Sequence, residues 1–405
     1  MRGDSRPARL GLTAFSLMGV LSGILSAACT SSRSAPPQFV PPHRVAQPGA
    51  APSGASIGLV LTGGGAFGAW EVGALRAFFD SWMSRYGEEP PISVVVGTST
   101  GALIAPFAFL GRSPAHDFIA DVADWYTSVN QADIVSFRLG TLLPFPLFAV
   151  TTSSVYGVGY TRRPDSASGR LYGRLVEALP QVKLTALSRE WPTRRLAVTT
   201  LDFGSGQPHV FTNAPLDAAE LREGILASAM APLALPPIPI ANRPVEDKPP
   251  TVAPHFDGGV YEVAPFQALF DLAALDPPIH LSHIVVISAF PRFPGGETNP
   301  VQRGSFPAQP KFRAIGDRMN VLLSEAAVTT DIRLADAAIA LRRRGLDPHA
   351  VADLTGLAIP GPPPTLIVLA PAERLGWQAF RFDPAEMASM YRRGYEEARA
   401  RLSHP

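Results

Sequence analysis

Ser99 stands at the centre of GTSTG, residues 97–101, a GxSxG pattern in which Gly97 and Gly101 are the outer glycines. A serine hydroxyl is a weak nucleophile until a neighbouring base takes its proton, so a reactive serine needs both exposure and a base within reach. The run before it, Ile92–Val96 (ISVVV), is β-branched and nearly continuous, and the run after it, Ala102–Leu110 (ALIAPFAFL), is helix-like. Strand, sharp turn and helix make up a nucleophile elbow, where the flanking glycines let the chain turn back and lift the Oγ above a sheet edge. Taken alone, the same letters also fit a bystander serine at a strand end.

A second pattern, GGGAFG at 63–68, follows the apolar run Ile57–Leu61 (IGLVL) and opens a helical segment over Ala66–Asp80. The N–H groups of Gly63, Gly64, Gly65 and Ala66, at the positive end of a helix with Gly68 in its first turn, are suited to hold the oxyanion of a tetrahedral intermediate. GxGxxG also satisfies a dinucleotide fingerprint. That reading expects an acidic residue at the end of the next strand, which here ends in Gly97, Thr98 and Ser99. A plain tight turn with close helix packing is the other alternative.

The third pattern is Asp257-Gly258-Gly259. Asp-Gly is first of all a turn dipeptide. Beside an elbow serine and a glycine loop that lack a base, an aspartate set at a later strand end by two glycines gains a role, because it could reach the Ser99 Oγ.

GGGAFG, GTSTG and DGG, in this order, resemble the three signatures of the patatin-like phospholipases. ASAMAPLALPPI, residues 227–238, resembles the helix-to-proline passage that precedes the family's DGG or DGA. The likeness spans roughly Ser56 to Phe290. It implies a serine–aspartate dyad without histidine, with Ser99 as nucleophile, Asp257 as general base and the N–H groups around Gly63–Ala66 as oxyanion donors. It further implies a patatin-like α/β/α fold and two-step hydrolysis of the ester of a lipid or phospholipid, with no cofactor and no metal. Phe67 departs from the basic residue often found in the glycine loop, and Val263 from an asparagine common after the DGG. Both bear on head-group preference and on supporting hydrogen bonds.

Two rival readings remain. A Ser-His-Asp α/β-hydrolase shares GxSxG and would recruit a late histidine such as His349, but leaves GGGAFG and DGG unexplained. A lipid-binding lipoprotein without turnover would keep the fold alone. His209, His255, His280, His283 and His349 show no HxxxH or HExxH spacing, and Cys29 is the single cysteine, so no zinc site is expected.

The elements around these motifs alternate strand and helix. Two successive βα units predict a parallel sheet with helices on both faces, a three-layer α/β/α arrangement. Leu196–Leu201 and His209–Thr212 flank DFGSGQP as a hairpin at a sheet edge, and Leu221–Met230 reads as a helix. Strands are expected at Ile284–Ser288 and Thr365–Leu369, with a long helix over Phe312–Arg344 between them. Asp383, Pro384 and Glu386 occupy capping-box positions ahead of a last helix. Ser136–Tyr160 is apolar, broken by Pro and Gly, and fits either a lid or a strand pair beneath the sheet.

Arg2, Arg6 and Arg9 precede the uncharged run Leu10–Leu25, and Ser26, Ala27 and Ala28 lead to Cys29. That is a signal-peptide layout, too short and too rich in Gly and Ser for a spanning helix. A cysteine after small residues resembles the lipobox of bacterial lipoproteins, although Ser26 holds the usual leucine position. The expected organisation is a signal peptide over 1–29 ending in a lipidated Cys29, a Pro/Ala/Gly-rich tether over 30–55 and a catalytic domain over 56–405. The protein is then exported and anchored to a membrane surface of the cell envelope, or alternatively secreted or periplasmic. Lys plus Arg number 35 against 34 Asp plus Glu, so net charge offers no basic face for a nucleic acid.

Overall fold

Side chains of successive strand residues point to opposite faces, and here both faces are apolar, so one sheet lies between two cores. In β1 (Ile57–Leu61), Ile57, Leu59 and Leu61 enter one core and Val60 the other. In β2 (Ile92–Thr98), Val95 joins the first core while Val94 and Val96 join the second. In β9 (His283–Ile287), Val285 and Ile287 face one way and Ile284 and Val286 the other. The computed structural model describes residues 54–134, 169–215, 220–232, 235, 237–241, 252–291, 312–376 and 378–403. Cys29, the signal-peptide and tether segments through residue 53, and Ser136–Tyr160 lie outside the described residues.

Four helices supply residues to the first core: α1 (Gly68–Tyr86), α2 (Thr100–Leu110), α3 (Phe118–Ser128) and, at the far end of the chain, α11 (Pro384–Ser403). Shorter pieces add to that side: α4 (Gln131–Ile134), α5 (Gly169–Ala178), α6 (Gln181–Arg189) and α7 (Leu221–Ser228). The second core is covered by α8 (Phe266–Ala274), α9 (Phe312–Arg343) and α10 (Pro348–Thr355). This is the expected three-layer α/β/α arrangement. β3 (Arg112–Ser113) and β4 (His116–Asp117) form a separate two-stranded ribbon.

Among the described residues the main sheet has eight strands and is parallel through β10 (Thr365–Leu369), β9, β1, β2 and β5 (Arg195–Asp202). The hairpin expected after Leu196 forms between β5 and β6 (Gln207–Thr212), but β5 itself is an interior strand and only β6 is outermost. β6 lies along residues 197–202 of β5. A strand has two hydrogen-bonding edges, so β2, paired with residues 195–199, and β8 (Val252–Asp257), paired with 200–202, share the other edge in tandem. β8 runs antiparallel to β5, and β7 (Ile238–Ala241) pairs along β8 in turn. The two strands therefore meet end to end. Thr98 pairs with Thr199 and Asp257 with Thr200, which brings the end of β8 to the turn that leaves β2.

Candidate active site

Ser99 has φ 56° and ψ −122°, and among the described residues it is the only non-glycine with positive φ. Such a backbone costs on the order of 1–3 kcal/mol and persists only where its surroundings hold it. They do so here at both ends of the turn. The Ser99 N–H donates to Ser228 Oγ at 2.8 Å, and that hydroxyl donates to the Thr199 carbonyl at 2.7 Å. The Gly101 N–H donates to the Thr62 carbonyl at 3.0 Å. A Cβ on Gly97 would strike the Gly101 carbonyl, and one on Gly101 would strike the carbonyl of Leu61, so the elbow closes only with glycine at both places.

Asp257, the last residue of β8, is almost fully buried. Its N–H donates to the Met230 carbonyl at 3.0 Å, and its Oδ1 accepts from Gly259 N–H at 2.8 Å. Gly258 is packed so closely on the Thr199 backbone that a Cβ would not fit. The Ser99 hydroxyl lies close enough to the Asp257 carboxylate to favour its charged form. Burial pushes the Asp257 carboxyl up to about 6, while Ser99 and the bond from Gly259 pull it down. Ser228 and Met230, both from the ASAM stretch at the end of α7, thus fix the backbones of the serine and the aspartate together.

The glycine loop lies over the same turn. A Cβ on Gly63 would sit 3.0 Å from Ser99 Cβ and 3.7 Å from its Oγ. Gly65 has φ 56°, a left-handed conformation, and closes against the Ala379 carbonyl. Two of the four expected oxyanion donors are occupied, which corrects the sequence reading. Ala66 N–H donates to the Ala379 carbonyl at 2.7 Å and Gly63 N–H to the Val263 carbonyl at 3.3 Å. The N–H groups of Gly64 and Gly65 have no hydrogen-bond partner among the described residues. The donors available to an oxyanion are therefore Gly64 and Gly65.

Behind the loop, Glu71 of α1 is fully buried, and Thr62 Oγ1 lies 2.7 Å from its Oε1. Burial raises its carboxyl well above the usual range, against the lowering effect of the bonds from Thr62 and Ala289. The Thr62 hydroxyl also accepts from Ala289 N–H at 3.1 Å. Phe67 is buried and packs edge-on to Phe290 with ring centroids 6.3 Å apart. Where a basic residue is common, this chain therefore has core. Val263 is buried too, and Asp331 of α9 accepts from the N–H groups of Val263 and Ala264 at 3.0 Å each.

No histidine hydrogen-bonds to Ser99 among the described residues. His255 precedes Asp257 by two residues but is bonded through Nδ1 to Thr200 Oγ1 at 3.0 Å, and burial lowers its imidazole to about 4. His349 lies on α10, beyond the end of α9 whose Arg343 reaches the Pro364 carbonyl at the start of β10. That is the sheet edge opposite Ser99. His116 pairs with Asp121. Among the described residues no three His, Cys, Asp or Glu gather as metal ligands, and no helix is long and apolar enough to cross a membrane.

Sequence reasoning placed Ser99, Asp257 and the glycine loop in one site, and the fold brings them together. It missed Ser228, Glu71 and Asp331. Ser228 lies inside the ASAMAPLALPPI passage, so a signal for it was present; for the other two, nothing local distinguishes them from ordinary helix acids.

The arrangement is a strained serine beside a buried carboxylate, with free N–H groups near it, which suits attack on a carbonyl. Part of the chain, 107 residues at 36% identity, is similar to the lysophospholipase NTE1 of Phaeosphaeria nodorum, covering 26% of this chain and 6% of that one. The chain is loosely similar in structure to VipD from Legionella pneumophila, at 13% identity and TM-score 0.41 over 87% of this chain and 67% of that one. A human GIVD cytosolic phospholipase A2 in complex with methyl gamma-linolenyl fluorophosphonate matches at 12% identity and TM-score 0.38, over 86% and 57%. Residues 59–270, more than half of the chain and the span holding all three motifs, match the patatin-like phospholipase family, to which this chain belongs.

Proposed function

We propose that the protein hydrolyses carboxylic esters of lipids, phospholipids among them, through a Ser99–Asp257 dyad. The observation that supports this reading is the tandem placement of β2 and β8 on one edge of β5, which brings the end of β8 that carries Asp257 beside the turn of Ser99. Asp257 takes the hydroxyl proton as Ser99 Oγ attacks the ester carbonyl, and Gly64 and Gly65 N–H receive the oxyanion. The proton passes to the leaving alcohol, giving an acyl-serine. Water then loses a proton to Asp257, adds to the acyl carbonyl, and the fatty acid departs as Ser99 regains its hydrogen. A carboxylate is an ordinarily weak base; its burial, which raises it to about 6, narrows the gap to the serine. The amino-terminal layout supports export and acylation of Cys29, which would hold the enzyme at a membrane surface beside such substrates.

The test compares Ser99→Ala and Asp257→Asn with single Gln variants of His116, His209, His255, His280, His283, His349 and His404. The readouts are turnover of a short-chain ester, labelling by a fluorophosphonate and thermal melting. Loss of roughly 10² to 10⁴ in rate is expected for Asp257→Asn, and substantial activity for every folded histidine variant. A histidine variant that melts normally yet is as inactive as Ser99→Ala would overturn the dyad.

A further inference from the structure

Helix α9 is longer than the sheet it covers. Its last turn is fixed at the start of β10, where Arg343 donates to the Pro364 carbonyl at 2.9 Å and Arg342 to the Gly361 carbonyl at 2.8 Å. The five residues of β10 span about 17 Å, whereas the 32 residues of α9 span about 48 Å. Partway back along the helix, Asp331 meets the loop that follows Asp257. Further back, Glu325 pairs with Arg374, five residues past the end of β10. α9 therefore runs antiparallel to β10, and its first turns stand beyond the edge of the sheet that carries Ser99.

Those turns expose apolar side chains. Ile315, Met319, Leu322 and Leu323 follow the spacing i, i+4, i+7, i+8 of one helical face, and Met319 and Leu323 are 55% and 65% accessible. The opposite seam, Val321, Glu325, Val328 and Ile332, is buried. Other exposed apolar residues gather at the same edge: Val260 and Tyr261, the latter 62% accessible, directly follow the Asp257 turn, and Phe203 follows the end of β5. Of the thirteen large hydrophobic residues exposed among the described residues, these seven lie at the catalytic edge. Exposed apolar groups scattered singly mean little, but a concentration around one site mouth marks a binding surface.

We propose that this edge, with the overhanging first turns of α9 as its main contact, docks on the surface of aggregated lipid. The proposal rests on the reading of the site as a lipid-ester hydrolase. A lipid surface suits this face better than a second protein, because it offers an apolar phase to the exposed helix face and substrate to the mouth beside it. A protein seated on Val260 and Tyr261 would cover the turn next to Asp257. Tyr261 suits the boundary as well, since aromatic rings with a polar tip favour the level of lipid head groups.

The experiment uses the full chain with Cys29→Ser, which removes any thiol-linked acyl group, in a parent and in a variant carrying Ile315→Ser, Met319→Ser and Leu323→Ser. Flotation with phosphatidylcholine vesicles, on protein also carrying Ser99→Ala, reads docking without turnover. Hydrolysis of a monomeric short-chain ester, with active Ser99, reads the chemistry. We expect the triple variant to lose at least tenfold in vesicle partitioning while its short-ester rate stays within twofold of the parent. Unchanged flotation would overturn the proposal, and so would parallel loss of ester rate and melting temperature, which assigns these residues to folding. A parent dimer that the variant converts to monomers would give the face to a second copy and overturn it too. Should the triple variant not fold, single Met319→Ser and Leu323→Ser variants are each expected to lose about threefold in flotation, and no loss from either would overturn it. If the parent floats with vesicles but cleaves no ester, the catalytic reading fails and the docking face stands.

Discussion

In the proposed dyad the carboxylate must take a proton from serine, a task helped by anything that makes it a stronger base, and burial acts on Asp257 in that direction. Its folded value of about 6 lies above the usual carboxylate range, so the acid limb of kcat/KM is expected near pH 6, with activity rising as Asp257 ionises. The sign for stability is opposite. A group with a raised folded value contributes fully below its unfolded value, and that contribution is lost as pH rises through about 6. Asp257→Asn is therefore expected to be more stable than the parent at pH 8, by up to about 3 kcal/mol for a shift of about two units. The advantage should vanish near pH 4, and denaturant melts at the two pH values check it. Ser228 makes a separate prediction, because its hydroxyl holds the Ser99 N–H in a turn with φ 56°. Ser228→Ala leaves that N–H unsatisfied, at a cost of about 1–3 kcal/mol, and lets the elbow relax. The expected result is a fall in kcat of about tenfold with little change in KM, since a misplaced nucleophile affects the reaction more than binding. An unchanged kcat would show that the glycines alone hold the elbow.

Elements set the distances that these residues exploit. The parallel β1–β2 unit and its helices were legible in the sequence, because IGLVL and ISVVV are apolar without alternation and each leads through glycines into a helical run. The long helix α9 was legible within one residue at its end. β8 running antiparallel into the end of β2 was not, since a strand's direction depends on the chain path before it, which no local pattern fixes. The loss of Gly63 and Ala66 as oxyanion donors was hidden for the same reason: their partners, Val263 and Ala379, are distant in sequence. Val263 replaces an asparagine in the family pattern, and what holds its loop comes from another element, Asp331 on α9. Burial raises Asp331 to about 6, and the two N–H groups it accepts lower it, so it is largely ionised at pH 7.5. Asp331→Ala is expected to destabilise the fold by about 2–3 kcal/mol, as for hydrogen bonds to a charged group. It should also lower kcat, because the Val263 carbonyl in this loop positions Gly63. Equal kcat with a lower melting temperature would confine Asp331 to folding.

Within the molecule as a whole, the place where the folded domain begins can be argued from β1. This strand lies between β9 and β2 in the middle of the sheet, so its first residues are interior although they come early in the chain. Ser56, just ahead of it, is tied to both neighbours. Its N–H donates to Ser282 Oγ at 2.9 Å, its hydroxyl to Ser93 Oγ at 2.9 Å, and its carbonyl accepts from the N–H groups of Ser282 and His283. Ile57 is fully buried. A chain beginning at Ser53 keeps all of this and removes the Pro-, Ala- and Gly-rich stretch that offers little apolar surface to bury. It is expected to be soluble, to melt within about 1 °C of the longer protein, a change of less than about 1 kcal/mol, and to cleave a short-chain ester at the same rate. A chain beginning at Leu59 loses the Ile57 side chain, worth about 2–3 kcal/mol, and several hydrogen bonds of about 1 kcal/mol each. That sum of about 5 kcal/mol is comparable with the whole net stability of many domains, so this protein is expected to be insoluble or inactive. If the chain from Ser53 were unfolded as well, residues before it would belong to the fold, and the boundary drawn from the sequence would be wrong.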